Sequence, residues 1–161
     1  MPLVHLKPID KSLLPSLSGE IGKFLLTHRL ALMGKPDRAV MEAGITEEVA
    51  EHFSKAGISD RYFLRAIIQS GAEELVVGRL WYRLQEEAKG FGGAFLMWIQ
   101  IDEPYRRKGF ATAAVETLMD DLRQQGVTSL GLESYPHNLP AAGLYEKLNL
   151  KIVREVRWCR L

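Results

Sequence analysis

The chain has a single cysteine, almost no net charge and no long apolar run. One cysteine excludes a framework of disulfide bonds within the chain, and it fits a reducing compartment. A net charge of +1 supplies no broad basic field for nucleic acid or for an anionic membrane. No apolar stretch approaches the ~18–20 residues of a membrane span, and residues 1–10 lack the apolar core of a signal peptide. We therefore expect a cytoplasmic protein with no membrane and no nucleic-acid partner.

The composition is that of one globular domain. Among 161 residues, hydrophobic types make up 47% and charged types 25%, which is ordinary for such a protein. A chain of this length buries about 68–70% of its unfolded surface, which is enough for a core. No repeat, low-complexity segment or linker divides it, so residues 1–161 are predicted to form a single domain. The histidines have no metal-ligand spacing with carboxylates or with Cys159, so no metal is predicted.

The first 60 residues are predicted to be mainly helical after a short strand at residues 4–6. Apolar residues recur at spacings near 3.6 between Leu13 and Leu32, which predicts one or two amphipathic helices. Pro15 is typical of a helix start in this region. Thr46 is interpreted as the N-cap of a further helix, which Gly57 would close.

Strands dominate the rest of the chain. Aromatic and β-branched runs at residues 62–69 and 75–84 flank a turn, which predicts a hairpin. The elements predicted after it are a strand at 94–101, a helix at 112–123 closed by Gly126, a strand at 129–134, a helix at 140–148 and a strand at 151–159. Helices first, then a hairpin, then alternating strands and helices predict a mixed α/β fold.

A basic, glycine-containing turn joins the strand that ends at Ile101 to the next helix. It reads Tyr105-Arg106-Arg107-Lys108-Gly109-Phe110-Ala111. Successive backbone N–H groups in such a turn can converge on one point, and a helix N-terminus adds about half a positive charge. Small residues at Gly109 and Ala111 allow a ligand close to the backbone. The arrangement predicts a phosphate site, although a solvated helix start has the same pattern.

Four features, taken together and in order, resemble the GNAT superfamily of acyl-CoA-dependent N-acetyltransferases. They are Arg106-x-x-Gly109-x-Ala111, the alanine-rich helix behind it, the strand from Leu130 to Glu133 that precedes Asn138, and Asn138-x-x-Ala141-x-x-x-Tyr145-Glu146-Lys147-Leu148. Asn149-Leu150 replaces the usual Gly-Phe, but asparagine tolerates the left-handed backbone of such a turn. The resemblance covers residues 75–153, roughly half of the chain.

The resemblance implies a central, mostly antiparallel sheet with splayed middle strands and flanking helices. It implies acetyl-CoA as co-substrate, whose pantetheine arm lies like an added strand against Ile99, Gln100 and Ile101. The diphosphate would bind backbone N–H groups of the loop, those of Arg107, Lys108, Gly109, Phe110 and Ala111. The Thr112 hydroxyl and the side chains of Arg106 and Lys108 are further candidates for contact with phosphate.

The chemistry implied by the resemblance needs a proton for the departing thiolate. Tyr145 matches the tyrosine that the family places near the sulfur, and a phenol can donate without ionising beforehand. Asn138 either binds the arm or holds the turn before the helix. Glu133 is the leading candidate for the general base, with His137 or an ordered water as alternatives.

The acceptor is not identified, because the first 60 residues carry no motif of the family. Glu86 and Glu87 either attract a cationic acceptor or are simply solvated. Trp98 or Tyr82 lines the acceptor pocket or belongs to the core. The predicted function is acetyl transfer to a primary amine of a small molecule, peptide or protein, and family habit suggests a homodimer.

Two other functions remain open from the sequence. The first is a non-catalytic acyl-CoA-binding or regulatory domain on the same fold. The second is a nucleic-acid-binding module, which the near-zero net charge disfavours. Its basic residues would be Arg106, Arg107, Lys108, Arg154, Arg157 and Arg160.

Overall fold

The computed structural model describes residues 1–32, 37–58, 61–85, 93–155 and 157. Contacts divide this part of the chain into two compact units. The first unit holds the described residues of 1–9 and 60–151, and the second unit holds those of 10–59 and 152–161. The single domain expected from the sequence therefore stays a prediction.

Strands and helices follow one another along the chain as the mixed pattern predicts. The strands are β1 (Val4–Pro8), β2 (Tyr62–Gln69), β3 (Leu75–Gln85), β4 (Gly93–Ile101) and β5 (Leu130–Leu132). The helices are α1 (Leu14–Leu32), α2 (Arg38–Ile58), α3 (Phe110–Gln124) and α4 (Leu139–Lys147), with short 3₁₀ turns at Lys11–Leu13 and Glu103–Tyr105. No helix of the described residues is both long enough and apolar enough to cross a membrane.

A five-stranded sheet in the order β1-β2-β3-β4-β5 forms the frame of the first unit. The pairs from β1 to β4 are antiparallel, whereas β4 and β5 are parallel. The predicted hairpin and the mostly antiparallel mixed sheet are therefore confirmed. Gly78 lets β3 and β4 approach closely, because a Cβ atom there would lie 2.3 Å from the carbonyl oxygen of Gln100.

The core of the first unit lies between α3 and one face of the sheet. The apolar stripe of α3 recurs at helical spacing and packs with inward-facing strand residues. Its buried members are Phe110, Ala113, Ala114, Val115, Leu118 and Leu122, and their partners include Val4, Ile67, Val77, Leu80, Tyr82 and Leu96. Gly126, with a φ of 78°, follows the helix in the left-handed conformation, as the sequence predicts.

The second unit is built from α1 and α2, which pack against each other. Within each helix their buried residues recur four positions apart, as expected for amphipathic helices. These residues are Leu17, Ile21, Ile45, Val49 and Phe53. A partly buried ion pair, with Arg29 Nη1 2.8 Å from Glu48 Oε2, joins the two helices.

The predicted start of α2 is wrong. The helix begins at Arg38, and Asp37 caps it, since its Oδ1 accepts hydrogen bonds from the N–H groups of Ala39 and Val40 at 3.0 and 3.2 Å. Thr46 lies inside the helix, where its hydroxyl donates to the carbonyl of Glu42 at 2.8 Å. A threonine hydroxyl can find its hydrogen-bond partner in this way inside a helix, so a threonine in the sequence does not by itself mark the start of a helix.

The predicted terminal strand is wrong for the described residues 151–155 and 157, which form no strand. Alternation alone does not make a strand, because the strand also needs an edge to pair with. β5 is only three residues long, and Ile152 remains 91% exposed. Cys159 lies outside the described residues.

Candidate functional site

β4 and β5 separate part-way along their length. The ladder joins Ala94 to Leu130, Phe95 to Gly131 and Leu96 to Leu132, and no described pair joins them further on. The β5 side of β4 therefore has no strand partner from residue 97 to residue 101 among the described residues. This open edge runs along the segment that holds Ile99, Gln100 and Ile101, where backbone groups point outward from alternate residues, and the carbonyl of Ile101 accepts a hydrogen bond from the Arg106 side chain. The splayed middle strands expected from the resemblance are confirmed.

A bulge marks the point where the strands part. Trp81 faces Trp98 and Tyr82 faces Leu96, so Met97 is an extra residue on β4. A bulge of this kind bends a strand and increases its local twist. Sequence analysis missed it because residues 94–99 are apolar on both faces, which hides a change of alternation. One sign of the bulge is that Leu96 and Ile99 both pack on the core. They are three positions apart, and in a regular strand such residues would lie on opposite faces.

The loop after β4 leaves a continuous run of backbone donors without backbone acceptors. None of the N–H groups of residues 107–112 donates to a described backbone carbonyl, and the first bond of the helix runs from Ala113 N to Gly109 O. Arg107 and Gly109 have left-handed φ values of 61° and 85°. The first turn of α3 holds no acidic residue. Among the described residues, no backbone acceptor satisfies these donors and no carboxylate in the first turn of α3 balances the helix dipole.

Contacts with β3 and β4 hold this loop in place. The N–H of Asp102 donates to Val77 O at 2.9 Å, and the N–H of Tyr105 donates to Asp102 O at 2.9 Å. Asp102 Oδ1 also lies 3.4 Å from Arg79 Nη1. Phe110 is buried and meets the edge of the Tyr105 ring at 6.1 Å between centroids. The loop is therefore anchored at both ends before any ligand binds.

The predicted loop residues differ in what their side chains do. Arg106 is exposed and donates from Nε to the carbonyl of Ile101 at 3.0 Å, so this side chain already braces the end of β4. Lys108 Nζ lies 5.9 Å from the centroid of the Tyr105 ring. The side chain of Phe110 lies in the core, so only its backbone N–H is available to a ligand at the loop. Ala111 and Thr112 are half-buried in the first turn of α3.

Gly109 combines a left-handed backbone with close packing. A Cβ atom at Gly109 would lie 3.3 Å from Cδ of Pro2. A larger residue would therefore meet both backbone strain and the N-terminal segment. The requirement for glycine at this position, proposed from the loop pattern, has a direct structural reason.

Asn138 and Asn149 bracket α4. Asn138 Oδ1 accepts a hydrogen bond from the N–H of Ala141 at 3.4 Å, so the side chain caps the helix. The capping bond shows that Asn138 holds the turn, and its binding of the arm stays a prediction. Asn149 has a φ of 57°, which confirms the left-handed turn expected there.

Tyr145 is a half-buried phenol on α4. Burial raises the pKa of its hydroxyl above the ordinary value. The hydroxyl has no hydrogen-bond partner among the described residues. A neutral phenol that keeps its proton is a competent proton donor. Burial also raises the pKa of Tyr82, but that residue stacks on Phe63 at 4.9 Å within the core and is not part of the site.

The candidates for the general base lie beyond β5. Glu133 follows the strand directly and is exposed. His137 is also exposed, and its ring lies 5.8 Å from that of Tyr135. Glu86 and Glu87 lie outside the described residues. In the described ranges, no cluster of three or more His, Cys, Asp or Glu side chains is arranged to hold a metal ion.

Comparison with known proteins identifies a shared fold and family. The model of the acetyltransferase (GNAT) family matches residues 36–150. The uncharacterised N-acetyltransferase YycN of Bacillus subtilis is 36% identical over 75 residues, which are 47% of this chain and 47% of that protein. The alanine N-acetyltransferase of ribosomal protein bS18 from Escherichia coli is 42% identical over 55 residues, 34% of this chain and 37% of that enzyme. The chain thus spans about half or less of the curated relatives it matches.

Solved structures extend the likeness to the whole chain. The crystal structure of YycN from Bacillus subtilis superposes with a TM-score of 0.85 at 22% identity and covers 98% of both chains. The structure of AAC(6')-Iy with a bisubstrate analogue, CoA joined to acetylneamine, has a TM-score of 0.61 at 14% identity. That alignment covers 98% of this chain and 97% of the other. At these identities the likeness shows the fold.

Proposed function

Because the chain belongs to the acetyltransferase (GNAT) family, we propose that it transfers an acetyl group from acetyl-CoA to a primary amine. The observation that carries this proposal is the run of N–H groups at residues 107–112 that donate to no described backbone carbonyl, directly after the strand that loses its β5 partner. A donor cradle at a helix N-terminus suits a diphosphate. An open strand edge suits an amide-containing arm. Acetyl-CoA has both parts, joined in that order.

The loop would hold the diphosphate through main-chain donors. Arg107, Lys108, Gly109, Phe110 and Ala111 contribute backbone N–H groups, and Thr112 adds a hydroxyl. The Arg106 bond to Ile101 O supports a bracing role for that side chain and leaves the main chain as the principal ligand. Along the open edge, Ile99, Gln100 and Ile101 would pair with the amides of the pantetheine arm.

Tyr145 would act as the acid of the reaction. The amine nitrogen forms a bond to the thioester carbonyl carbon, and the C–S bond then breaks. The departing thiolate takes the proton of the Tyr145 hydroxyl, whose raised pKa keeps it protonated at neutral pH. Glu133 would accept the proton that the amine loses, directly or through water. Holding the two reactants together supplies much of the rate.

The first experiment separates binding from transfer. Isothermal titration with acetyl-CoA tests the cradle, and release of free CoA over a panel of amines tests transfer. The expected result is binding together with amine-dependent release. Absence of binding at millimolar acetyl-CoA would remove the proposal. Binding without release for any amine would favour a non-catalytic acyl-CoA-binding domain on the same fold.

We also propose a one-domain subunit that forms a cytoplasmic homodimer. The family match supports one domain because it runs from residue 36 to residue 150 and includes α2 as well as the strands β2 to β5. The single cysteine supports a reducing compartment. Light scattering coupled to gel filtration tests the dimer, and a monomer mass at micromolar concentration would contradict it.

A further inference from the structure

Arg83 and Trp98 carry N–H groups that the described part of the chain buries without a hydrogen-bond partner. Trp98 is 4% exposed, and its indole Nε1 is fully covered. The Nε of Arg83 is covered as well, and its guanidinium lies over the Phe95 ring at 5.5 Å. Arg83 forms no ion pair with a described residue. Buried donors without a hydrogen-bond partner are rare in folded proteins, so two of them indicate that a hydrogen-bond acceptor binds there.

The two side chains lie on the same face of the sheet. Arg83 and Phe95 face each other across β3 and β4, and Trp81 and Trp98 form the next such pair on that face. Strand residues two apart share a face, so Arg83 and Trp81 lie on the same side. The opposite face carries Leu80, Tyr82 and Leu96 and is covered by α3. Arg83 and Trp98 therefore lie on the face of the sheet opposite to α3.

This face adjoins the point where β4 leaves β5. Phe95 forms the middle pair of the β4–β5 ladder, Met97 is the bulge at which the open edge begins, and Trp98 follows it. At about 3.3 Å per residue, Phe95 and Trp98 lie within about 7 Å of Met97 along the strand. An arm that runs from the loop along residues 101–99 delivers its far end to this point. The reacting amine must reach the same place.

We infer that Arg83 and Trp98 bind an oxygen of the acceptor that lies next to its amine. The inference rests on the proposed acetyl transfer and names its substrate class: an α-amino acyl group, with a carboxylate or a peptide carbonyl beside the amine. A guanidinium and an indole N–H are both donors and both suit such an oxygen. A polyamine or an aminoglycoside presents further positive charges, which Arg83 repels.

The acceptor test compares amines of similar size that differ in the neighbouring oxygen. Free alanine, alanylglycine and isopropylamine are assayed by CoA release, with spermidine as the polycation. Alanine or alanylglycine is expected to have the lowest acceptor KM, and the comparison of the two distinguishes a carboxylate from a peptide carbonyl. Preference for spermidine or isopropylamine would overturn the inference and leave acetyl transfer intact.

Variants separate recognition from folding. Arg83→Met keeps the alkyl stem and Trp98→Phe keeps an aromatic ring, but each removes the donors. Each is expected to raise the KM for the favoured amino acyl acceptor about 10- to 100-fold, the loss of a hydrogen bond to a polar or charged oxygen, with the KM for acetyl-CoA unchanged. Arg65→Met is the matched control, because Arg65 lies over the Phe63 ring at 5.1 Å away from this face. Equal losses in all variants would refute a role in recognition.

Direct observation of the indole N–H keeps the inference testable even if no amine is turned over. The chain has three tryptophans, so an ¹⁵N–¹H spectrum shows few indole signals, and Trp98→Phe assigns one of them. Alanylglycine added to the CoA-bound protein is expected to shift the Trp98 signal, whereas isopropylamine leaves it in place. Free alanine is added in the same way, and the absence of a shift with both alanine and alanylglycine overturns the inference. Binding of acetyl-CoA without CoA release counts against the proposed function instead.

Discussion

Replacing Ala111 with glutamate is expected to stabilise the unbound protein and to weaken its binding of acetyl-CoA. Ala111 lies in the first turn of α3, which holds no acidic residue. A carboxylate there interacts favourably with the helix dipole, by about 0.3–1 kcal/mol. Glutamate is nearly as good a helix former as alanine, so little is lost in return.

When a diphosphate is bound, the added carboxylate at position 111 becomes unfavourable instead of favourable. If the new carboxylate lies about 5 Å from one phosphate charge at an effective dielectric constant of about 20, repulsion amounts to about 3 kcal/mol. This corresponds to a loss of about 100-fold in affinity. Salt reduces the loss, because the loop is exposed and such charges are screened. The same substitution should thus raise the denaturation midpoint and lower the affinity.

Urea denaturation without ligand and calorimetric titration with acetyl-CoA measure the two effects. Ala111→Gln is the control, since it matches glutamate in size and lacks the charge. It should leave affinity within a few-fold of the parent protein if the effect is electrostatic. An Ala111→Glu protein that binds acetyl-CoA as tightly as the parent would refute the diphosphate site at this helix start. Equal loss with glutamine would show that size, not charge, decides.

Three further substitutions test the site and the frame that carries it. Tyr145→Phe is expected to lower kcat about 100-fold or more with little change in either KM, because a positioned acid is removed. Since burial raises the pKa of the phenol, the parent enzyme should lose the contribution of this acid only as pH rises above about 10, through the raised pKa. Gly78→Ala should cost about 3 kcal/mol of unfolding free energy, because its Cβ would lie 2.3 Å from a backbone oxygen. Asp37→Ala should cost about 1 kcal/mol through the loss of the α2 cap.

The two stability changes have matched controls within the chain. Gly44 lies inside α2 with nothing within 4 Å of an added Cβ, so Gly44→Ala should stabilise by about 0.5–1 kcal/mol where Gly78→Ala destabilises. Thr46→Ala should be neutral or slightly stabilising, because Thr46 is not a cap. Denaturation curves that rank Thr46→Ala below Asp37→Ala in stability would contradict the cap assignment. For Tyr145, an unchanged rate in the phenylalanine variant would exclude the phenol as the acid.

The elements of the first unit follow from local pattern because each repeats its signal over many residues. The hairpin was visible because two apolar, β-branched runs flank a short turn, and α3 because its alanine and leucine stripe recurs at helical spacing. The prediction that α2 begins at Thr46 is wrong, since threonine is common at caps but its hydroxyl also bonds to a carbonyl of its own helix. The strand predicted after residue 150 failed for the described residues, since alternation says nothing about a partner edge.

The amino-acid sequence by itself determined the loop of backbone donors, since a left-handed glycine, small neighbours and a following helix are properties of consecutive residues. Tertiary structure alone decided where β4 and β5 part, where Met97 bulges and which side chains share a face with Arg83. These features depend on pairing between segments that are far apart in the chain. A one-residue shift of register moves a side chain to the other face, and no local pattern records that choice.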